Sequence, residues 1–246
     1  MTVSPDATVK PAGNEPRDAA TLVIVDEELG QRRVLLGKRR QTQVFAPGKF
    51  VFPGGSVDPG DCGLALGGLL RECERHPLMH DIKPASGAIT PEVFALAAIR
   101  ETFEETGLLV GSSHASPTTQ VPPGWQSFVA HGFAPQLSSL AFIARAITPP
   151  GRSRRFDARF FLVPASAIAL QTQATDGEFE ELAWVTFSKA RAMDLHNMTL
   201  SVLNEAERFL LLAPEQRACA PVPYFLEGAD GWRRNVIARQ PSALGA

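Results

Sequence analysis

One segment, from Thr90 to Gly107, constrains this chain more than any other. Thr90 followed by Pro91 is typical of a helix start, and Gly107 is typical of a helix end. The sequence therefore predicts one long helix across the segment. Most of what the chain can do depends on how the residues of that helix are arranged around its axis.

Acidic and apolar residues separate on this helix when successive residues are placed about 100° apart. The acidic face holds Glu101, Glu104 and Glu105. The opposite face holds Leu96, Ile99 and Phe103. One side of the helix is therefore expected to pack into a core, while the other concentrates negative charge.

The acidic face has two interpretations. Most acidic helix residues are simply solvated. Here, however, like charges three and four residues apart repel by a few tenths of a kcal/mol, roughly, and the dipole of the last turn disfavours anions. A bound divalent cation would offset both penalties, and oxygen ligands suit Mg²⁺ or Mn²⁺.

The spacing of these residues resembles the Nudix hydrolase family, metal-dependent enzymes that split nucleoside diphosphates linked to another group. "RETFEETGL", from Arg100, matches the second half of the Nudix box, with Thr102 in a usually aliphatic position. "GGSVDPGD" matches the first half, from Gly55 to Asp61, with Asp where the family usually has Glu. The resemblance covers roughly residues 20–190. It implies the α/β class: a Nudix-type α/β/α sandwich with a mixed central β-sheet.

The resemblance also implies roles for individual residues. The expected metal ligands are Glu101, Glu104 and Glu105. Arg100 would orient the acids of the loop and helix, as a member of the catalytic set. Gly54 and Gly55 would let the loop backbone approach the helix and the substrate closely, and Asp61 would be a supporting acid.

The chemistry of a diphosphate explains this set of residues. The closely spaced negative charges repel an attacking hydroxide, whereas metal ions neutralise the oxygens and lower the pKa of a bound water. A carboxylate then accepts the proton of that water. The candidates for this base are Glu101, Glu105 and Glu178, the last of which precedes a predicted strand in "TDGEFEELAWV".

The two halves of the box are separated by 38 residues between Asp61 and Arg100. This interruption is similar to that of the coenzyme-A-diphosphatase branch of the family. We expect the insertion, about residues 62–92, to fold outside the core, so that residues 64–92 could be replaced by a short linker. A zinc site is the alternative for its four thiol and imidazole side chains: Cys62, Cys73, His76 and His80. Wide ligand spacing favours buried thiols and surface histidines instead.

A second charged segment is "RSRRFDARFFLV". On a strand, Arg155, Asp157 and Arg159 would share one face, and the alternate apolar residues would pack on the other. The charged face is either a solvated sheet edge or a phosphate clamp, for which arginine is well suited. We expect Arg39, Arg155 and Arg159 to bind substrate.

Composition excludes several other classes of protein. The formal net charge of −2 gives no field for nucleic acid, and no apolar run is long enough to span a membrane. Three cysteines suit a reducing compartment. We therefore expect a cytoplasmic protein with a small-molecule nucleotide substrate, no nucleic-acid or membrane partner, and scope for a homodimer.

We predict a disordered tail over residues 1–19, a Nudix domain over 20–213 and a C-terminal extension over 214–246 that packs on it. The predicted function is Mg²⁺- or Mn²⁺-dependent hydrolysis of a nucleoside diphosphate derivative. Coenzyme A or acyl-CoA is the first substrate, giving 3′,5′-ADP and (acyl-)4′-phosphopantetheine. The alternatives are an ADP-ribose or NAD(H) pyrophosphatase and a non-catalytic nucleotide-binding regulatory domain.

Overall fold

Strands and helices alternate through the chain in the computed structural model, which describes residues 15–64, 68–82, 89–113, 120–152, 154–228 and 231–239. The strands in these ranges are β1 Arg17–Glu28, β2 Gln31–Arg39, β3 Phe50–Val51, β4 Gly54–Ser56, β5 Leu108–Ser113, β6 Phe133–Pro135, β7 Ala141–Ile147, β8 Phe156–Pro164, β9 Ile168–Gln171, β10 Phe179–Thr186, β11 Val222–Gly228 and β12 Gly231–Ile237. The helices are α1 Pro59–Gly63, α2 Glu72–Leu78, α3 Pro91–Thr106, α4 Gln126–Val129, α5 Phe187–Arg191, α6 Asn197–Leu211 and α7 Pro214–Cys219.

The main sheet is mixed, as predicted. Its strand order is β10-β2-β1-β8-β7-β11-β12, with β3 paired to β2 and β4 paired to β1. The β1–β8 and β7–β11 pairs are parallel, and the other pairs are antiparallel. A small second sheet has the order β6-β5-β9. The short apolar runs on either side of "EELGQR" predict a hairpin, and this is confirmed, because β1 and β2 pair across the turn at residues 29–30.

Helices cover both faces of the main sheet, which is the α/β/α arrangement expected. Alternate side chains of β1 show this directly. Leu22 and Ile24 pack in the cluster that contains α3, whereas Val23 and Val25 pack in the cluster that contains α5 and α6. The charged helix of the sequence analysis is α3, and its predicted bounds are confirmed, ending at Gly107 in the left-handed conformation.

The insertion does not fold outside the core, so that prediction is wrong. Leu64, Leu70 and Leu78 are buried in the same cluster as α3 and β1. Glu74 of α2 is also buried and forms an ion pair with Arg239, which follows β12. Because the insertion supplies apolar residues to the core and a charge to a buried pair, a short linker could not replace it without loss.

Three other boundaries differ from the predictions. The predicted tail is wrong from Arg17 onward, because β1 begins there and Ala19 is buried; residues 1–14 lie outside the described residues. The segment "LALGGLLRECER" from Leu64 predicts a short, weak helix, but α2 begins only at Glu72, and residues 65–67 lie outside the described ranges. The segment "SKARAMDLH", residues 188–196, predicts a helix, but α5 ends at Arg191.

The C-terminal segment is part of the main sheet. Strand β11 pairs with β7 through Tyr224 and Phe225, and β12 pairs with β11. None of the helices in the described ranges has the length and apolar content that a membrane crossing needs.

Candidate functional site

The centre of the candidate site is a buried ion pair between the two halves of the Nudix box. The Nε and Nη2 atoms of Arg100 donate to Asp61 Oδ1 and Oδ2 at 2.9 and 3.0 Å. Nη2 also donates to the Ser56 carbonyl at 2.9 Å. The pair joins α1 and β4 to α3, so the residues on either side of the insertion do form one site.

Asp61 is held by more than Arg100. It accepts the backbone N–H of Asp58 at 2.8 Å in a capping box at the start of α1. It also accepts the indole N–H of Trp125 at 3.0 Å. Trp125, which is fully buried, was missed by the sequence analysis because no motif or spacing connects it to the box.

Two acids of α3, Glu101 and Glu104, share the third guanidinium nitrogen of Arg100. Arg100 Nη1 donates to Glu101 Oε1 at 2.9 Å and to Glu104 Oε2 at 3.1 Å. The Glu101 and Glu104 side chains are 20% and 32% exposed, so both can reach solvent or a ligand. Arg100 therefore orients both carboxylates in the way that the resemblance implied.

The glycines of β4 lie directly against the acidic helix. The Gly54 N–H donates to Glu105 Oε2 at 2.8 Å. A Cβ atom on Gly55 would lie 2.4 Å from Glu101 Oε2. Any larger residue at position 55 would have to displace the Glu101 carboxylate, which explains the glycine there.

Burial perturbs the carboxylates of α3. It raises the pKa of Glu101 to about 7, although Arg100 acts in the opposite direction. Burial also raises the pKa of Glu104, and raises that of Glu105 well above its usual range despite the Gly54 N–H. Burial opposes the charge of Arg100, but the hydrogen bonds and charge of Asp61 raise its pKa overall. Arg100 faces three acids, Asp61, Glu101 and Glu104, so its single charge does not offset all of theirs.

The loop before β10 covers the C-terminal end of α3. The backbone N–H groups of Thr175 and Asp176 donate to the Glu104 carbonyl at 3.0 and 2.9 Å. In the same loop, Glu178 forms an ion pair with Arg39 of β2 at 2.7 Å. Both partners of that pair influence the charge of Glu105. The structure thus brings Glu178 and Arg39 to the acidic helix.

The side chains of the site fit a divalent metal by their chemistry, although they are not arranged as a ready cage. In the described ranges, no group of three or more His, Cys, Asp or Glu side chains is arranged to hold a metal ion. Glu101 and Glu104 are turned toward Arg100, and Glu105 is turned toward Gly54. Their oxygens and surplus negative charge are nevertheless the donor set that Mg²⁺ and Mn²⁺ prefer.

The prediction that the charged face of β8 is exposed, as a sheet edge or a phosphate clamp, is wrong for Asp157 and Arg159. Strand β8 lies between β1 and β7, so it is not a sheet edge. Arg159 is only 1% exposed, donates to Asp18 at 2.6 Å, and lies over the Phe94 ring of α3. Asp157 is buried in a bidentate pair with Arg145 of β7. These residues stabilise the interior, and Arg159 is not accessible to a phosphate.

Arg155 differs from Arg159. It is half-buried at the start of β8, and its Nε donates to the Thr148 carbonyl at 2.9 Å. Its backbone carbonyl accepts the Arg17 N–H at 2.9 Å, next to Asp18, whose carbonyl accepts the Val57 N–H just after β4. Arg155 therefore lies beside the start of β1, the strand that pairs with β4 of the box.

The insertion residues considered for zinc do not form a cluster within the described ranges. His76 and His80 are exposed, as predicted. The expectation of buried thiols is wrong for Cys62, which is exposed, and Cys73 is half-buried.

Comparison with known proteins finds similar chains among the acyl-coenzyme A diphosphatases. The acyl-coenzyme A diphosphatase NUDT19 of Gallus gallus is 26% identical, over 68% of this chain and 60% of the relative. Its counterpart in Xenopus laevis is 34% identical, over 31% of this chain and 25% of the relative. The chain therefore spans less than two thirds of the length of these relatives. No protein-family model matches the chain.

A solved structure gives the fold-level comparison. The NUDIX hydrolase from Alicyclobacillus acidocaldarius superimposes with a TM-score of 0.58 and 27% identity, covering 78% of this chain and 91% of that one. Together with the box geometry, this shows the Nudix fold and a likeness to the Nudix hydrolase family. Within that family, the chain resembles the coenzyme-A-diphosphatase branch.

Proposed function

We propose that the protein hydrolyses the diphosphate bond of coenzyme A or acyl-CoA in the presence of Mg²⁺ or Mn²⁺. The products would be 3′,5′-ADP and (acyl-)4′-phosphopantetheine. The carrying observation is the intact acidic helix, whose Glu101 and Glu104 carboxylates are oriented by a buried Arg100. The likeness to two acyl-coenzyme A diphosphatases supports the choice of substrate.

In this proposal Glu101, Glu104 and Glu105 hold the metal, which when bound neutralises phosphate oxygens and lowers the pKa of water. Arg100 keeps the carboxylates in place. Gly54 and Gly55 let the loop backbone lie against the helix and beside the substrate. Glu104→Gln or Glu105→Gln should then lower turnover by more than about 100-fold while the protein stays folded. Mutation of a residue that only hydrogen-bonds to a metal ligand already lowers metal affinity or activity 10- to 100-fold, roughly.

Glu178 is the proposed base that lies outside the metal-binding helix. Its carboxylate pairs with Arg39 at 2.7 Å, and its side chain is 31% exposed, so that water can reach it. A general base contributes about 10²–10⁴ in rate. Glu178→Gln should therefore lower kcat by at least about 100-fold. A smaller loss would leave Glu101 and Glu105 as the bases, to be separated by their pH–rate profiles.

The substrate test is a panel assayed with each metal: coenzyme A, dephospho-coenzyme A, ADP-ribose and NADH. Coenzyme A carries an additional 3′-phosphate, for which Arg155 is the proposed cation. A charge-assisted contact is worth about 1.5–3 kcal/mol, or roughly 10- to 150-fold. Coenzyme A should have the higher kcat/KM, and Arg155→Ala should narrow its advantage over dephospho-coenzyme A.

Faster hydrolysis of ADP-ribose or NADH, with no effect of Arg155→Ala on the coenzyme A preference, would favour the alternative pyrophosphatase. A nucleotide that binds without being cleaved under any metal condition would favour a regulatory domain. A cytoplasmic location and a homodimer stay predictions of the sequence, to be checked by fractionation and by light scattering.

A further inference from the structure

We propose that Trp125 is a positioning residue of the metal site, acting through Asp61 and Arg100 on the carboxylates of α3. The observation is the set of donors around Asp61. Its Oδ1 accepts Arg100 Nε and Trp125 Nε1, and its Oδ2 accepts Arg100 Nη2 and the Asp58 N–H. The indole N–H is the one side-chain donor to Asp61 besides Arg100 among these contacts.

The need for this donor follows from burial. Asp61 is 1% exposed, and a buried carboxylate is costly unless its oxygens accept hydrogen bonds. The capping box ties Oδ2 to the backbone of α1, so the indole fixes the other oxygen and the plane of the carboxylate. A bidentate arginine pair depends on that plane, because the guanidinium presents its donors in a fixed fork.

The turn that carries Trp125 also shields the ion pair between Arg100 and Asp61 from water. Pro122 lies against α1, where Cβ atoms built on Gly60 and Gly63 would be 3.5 Å from its ring. A Cβ on Gly124 would be 3.4 Å from Arg100 Cδ. The indole itself packs edge-to-face on Phe128, with ring centroids 5.3 Å apart. In such a dry setting, hydrogen bonds to charged groups are stronger than in water.

The effect reaches the metal-binding acids through one nitrogen. Arg100 Nη1 is shared between Glu101 and Glu104, so a rotation of the guanidinium moves both carboxylates. Trp125 itself contacts neither of them in this arrangement. This step rests on the proposed function only in treating Glu101 and Glu104 as metal ligands.

The test uses Mn²⁺ alone as the first probe, with binding followed by electron paramagnetic resonance. Trp125→Phe keeps an aromatic ring and removes the N–H. We expect the Kd for Mn²⁺ to rise at least fivefold. With coenzyme A, kcat should fall at least tenfold while KM changes less than twofold, because no substrate contact is removed. Trp184→Phe, the same substitution at a half-buried site on β10, should change each value less than twofold.

Two further variants keep the test decisive. Benzothienyl-alanine at position 125 preserves the ring shape and replaces N–H by sulfur, so its effect should equal that of Trp125→Phe even if the phenylalanine variant folds poorly. In an Arg100→Lys background, Trp125→Phe should cost less than threefold in Mn²⁺ affinity, because the residue through which it acts is already altered.

Mn²⁺ affinity within twofold of wild type for both position-125 variants would overturn the proposal. Full additivity with Arg100→Lys would also overturn it, because Trp125 would then act elsewhere. Failure of the proposed function looks different: wild-type protein would cleave none of the diphosphate substrates, while the Mn²⁺ measurements would still decide the role of Trp125.

Discussion

Gly55→Ala gives the sharpest test of the site geometry. A Cβ atom at this position would lie 2.4 Å from Glu101 Oε2 and 2.5 Å from Glu101 Cδ, whereas ordinary contact begins at 3.4 Å. The carboxylate must therefore retreat by about 1 Å, the scale of misplacement that costs about 100-fold in rate. We expect kcat to fall by roughly that factor and the metal requirement to shift to higher concentration.

Stability should respond differently from activity. The atom that must move is the end of a flexible side chain, and replacing Gly by Ala also restricts the unfolded chain by about 0.4–1 kcal/mol. The free energy of unfolding, measured in urea, should stay within about 1 kcal/mol of wild type. Gly54→Ala should instead lower the free energy of unfolding, because its Cβ would lie 2.4 Å from the Ala20 carbonyl oxygen and its φ is +150°.

The matched control is Gly63→Ala, where the new atom would meet only Pro122 Cγ at an ordinary 3.5 Å. It should change neither kcat nor stability appreciably. If Gly55→Ala retains turnover within threefold of Gly63→Ala across a Mg²⁺ titration, the Glu101 carboxylate is not used where the structure has it, and the reasoning is refuted.

Three other predictions concern stability. Thr102 is buried and its Oγ1 has no hydrogen-bond partner, so Thr102→Val should raise the free energy of unfolding by about 1 kcal/mol in urea; a decrease would contradict this. Arg239→Ala leaves the buried Glu74 with the partly exposed Arg71 as its remaining cation and removes the donors to three backbone carbonyls, so it should cost about 3–5 kcal/mol. Arg234→Ala, at a pair whose arginine is half-exposed, should cost less, and an equal cost would argue against this reasoning. Because folding raises the pKa of Glu101 from its usual 4.5 to about 7, the metal-free protein should lose stability, on the order of 3 kcal/mol at most, as pH rises across that window. Mn²⁺ should restore more stability at about pH 8 than at about pH 5, and Glu101→Gln should make the profile less steep, since Glu104 and Glu105 keep their raised pKa values; a flat wild-type profile would disprove this.

The box and its helix could be predicted from the sequence because their signals are local. Thr90, Pro91 and Gly107 mark the helix, and the carboxylate spacing fixes one face of it. The hairpin of β1 and β2 could be predicted for the same reason, since two apolar runs flank a short polar turn.

Contacts between distant segments could not be predicted in this way. The alternation in β8 was right as a pattern, but nothing in it shows that Arg145 and α3 cover its charged side. The bond from Trp125 to Asp61 joins residues 64 positions apart, and the Phe94 ring lies on Arg159 from yet another element. Such pairings depend on how whole elements pack, which no periodicity encodes.

The ion pair between Arg239 and Glu74 has a consequence for how the chain folds during synthesis. Glu74 is translated 165 residues before Arg239, and domains generally fold as units during synthesis. Until Arg239 emerges, α2 would have to bury an acid that lacks its main cation, and β7 would lack its neighbour β11. Stable packing of α2 against the core is therefore expected only once the final hairpin has been made. In a chain truncated before that hairpin, α2 would not pack stably and the edge of β7 would lack its partner strand. Quality-control proteases and chaperones can recognise such an exposed edge.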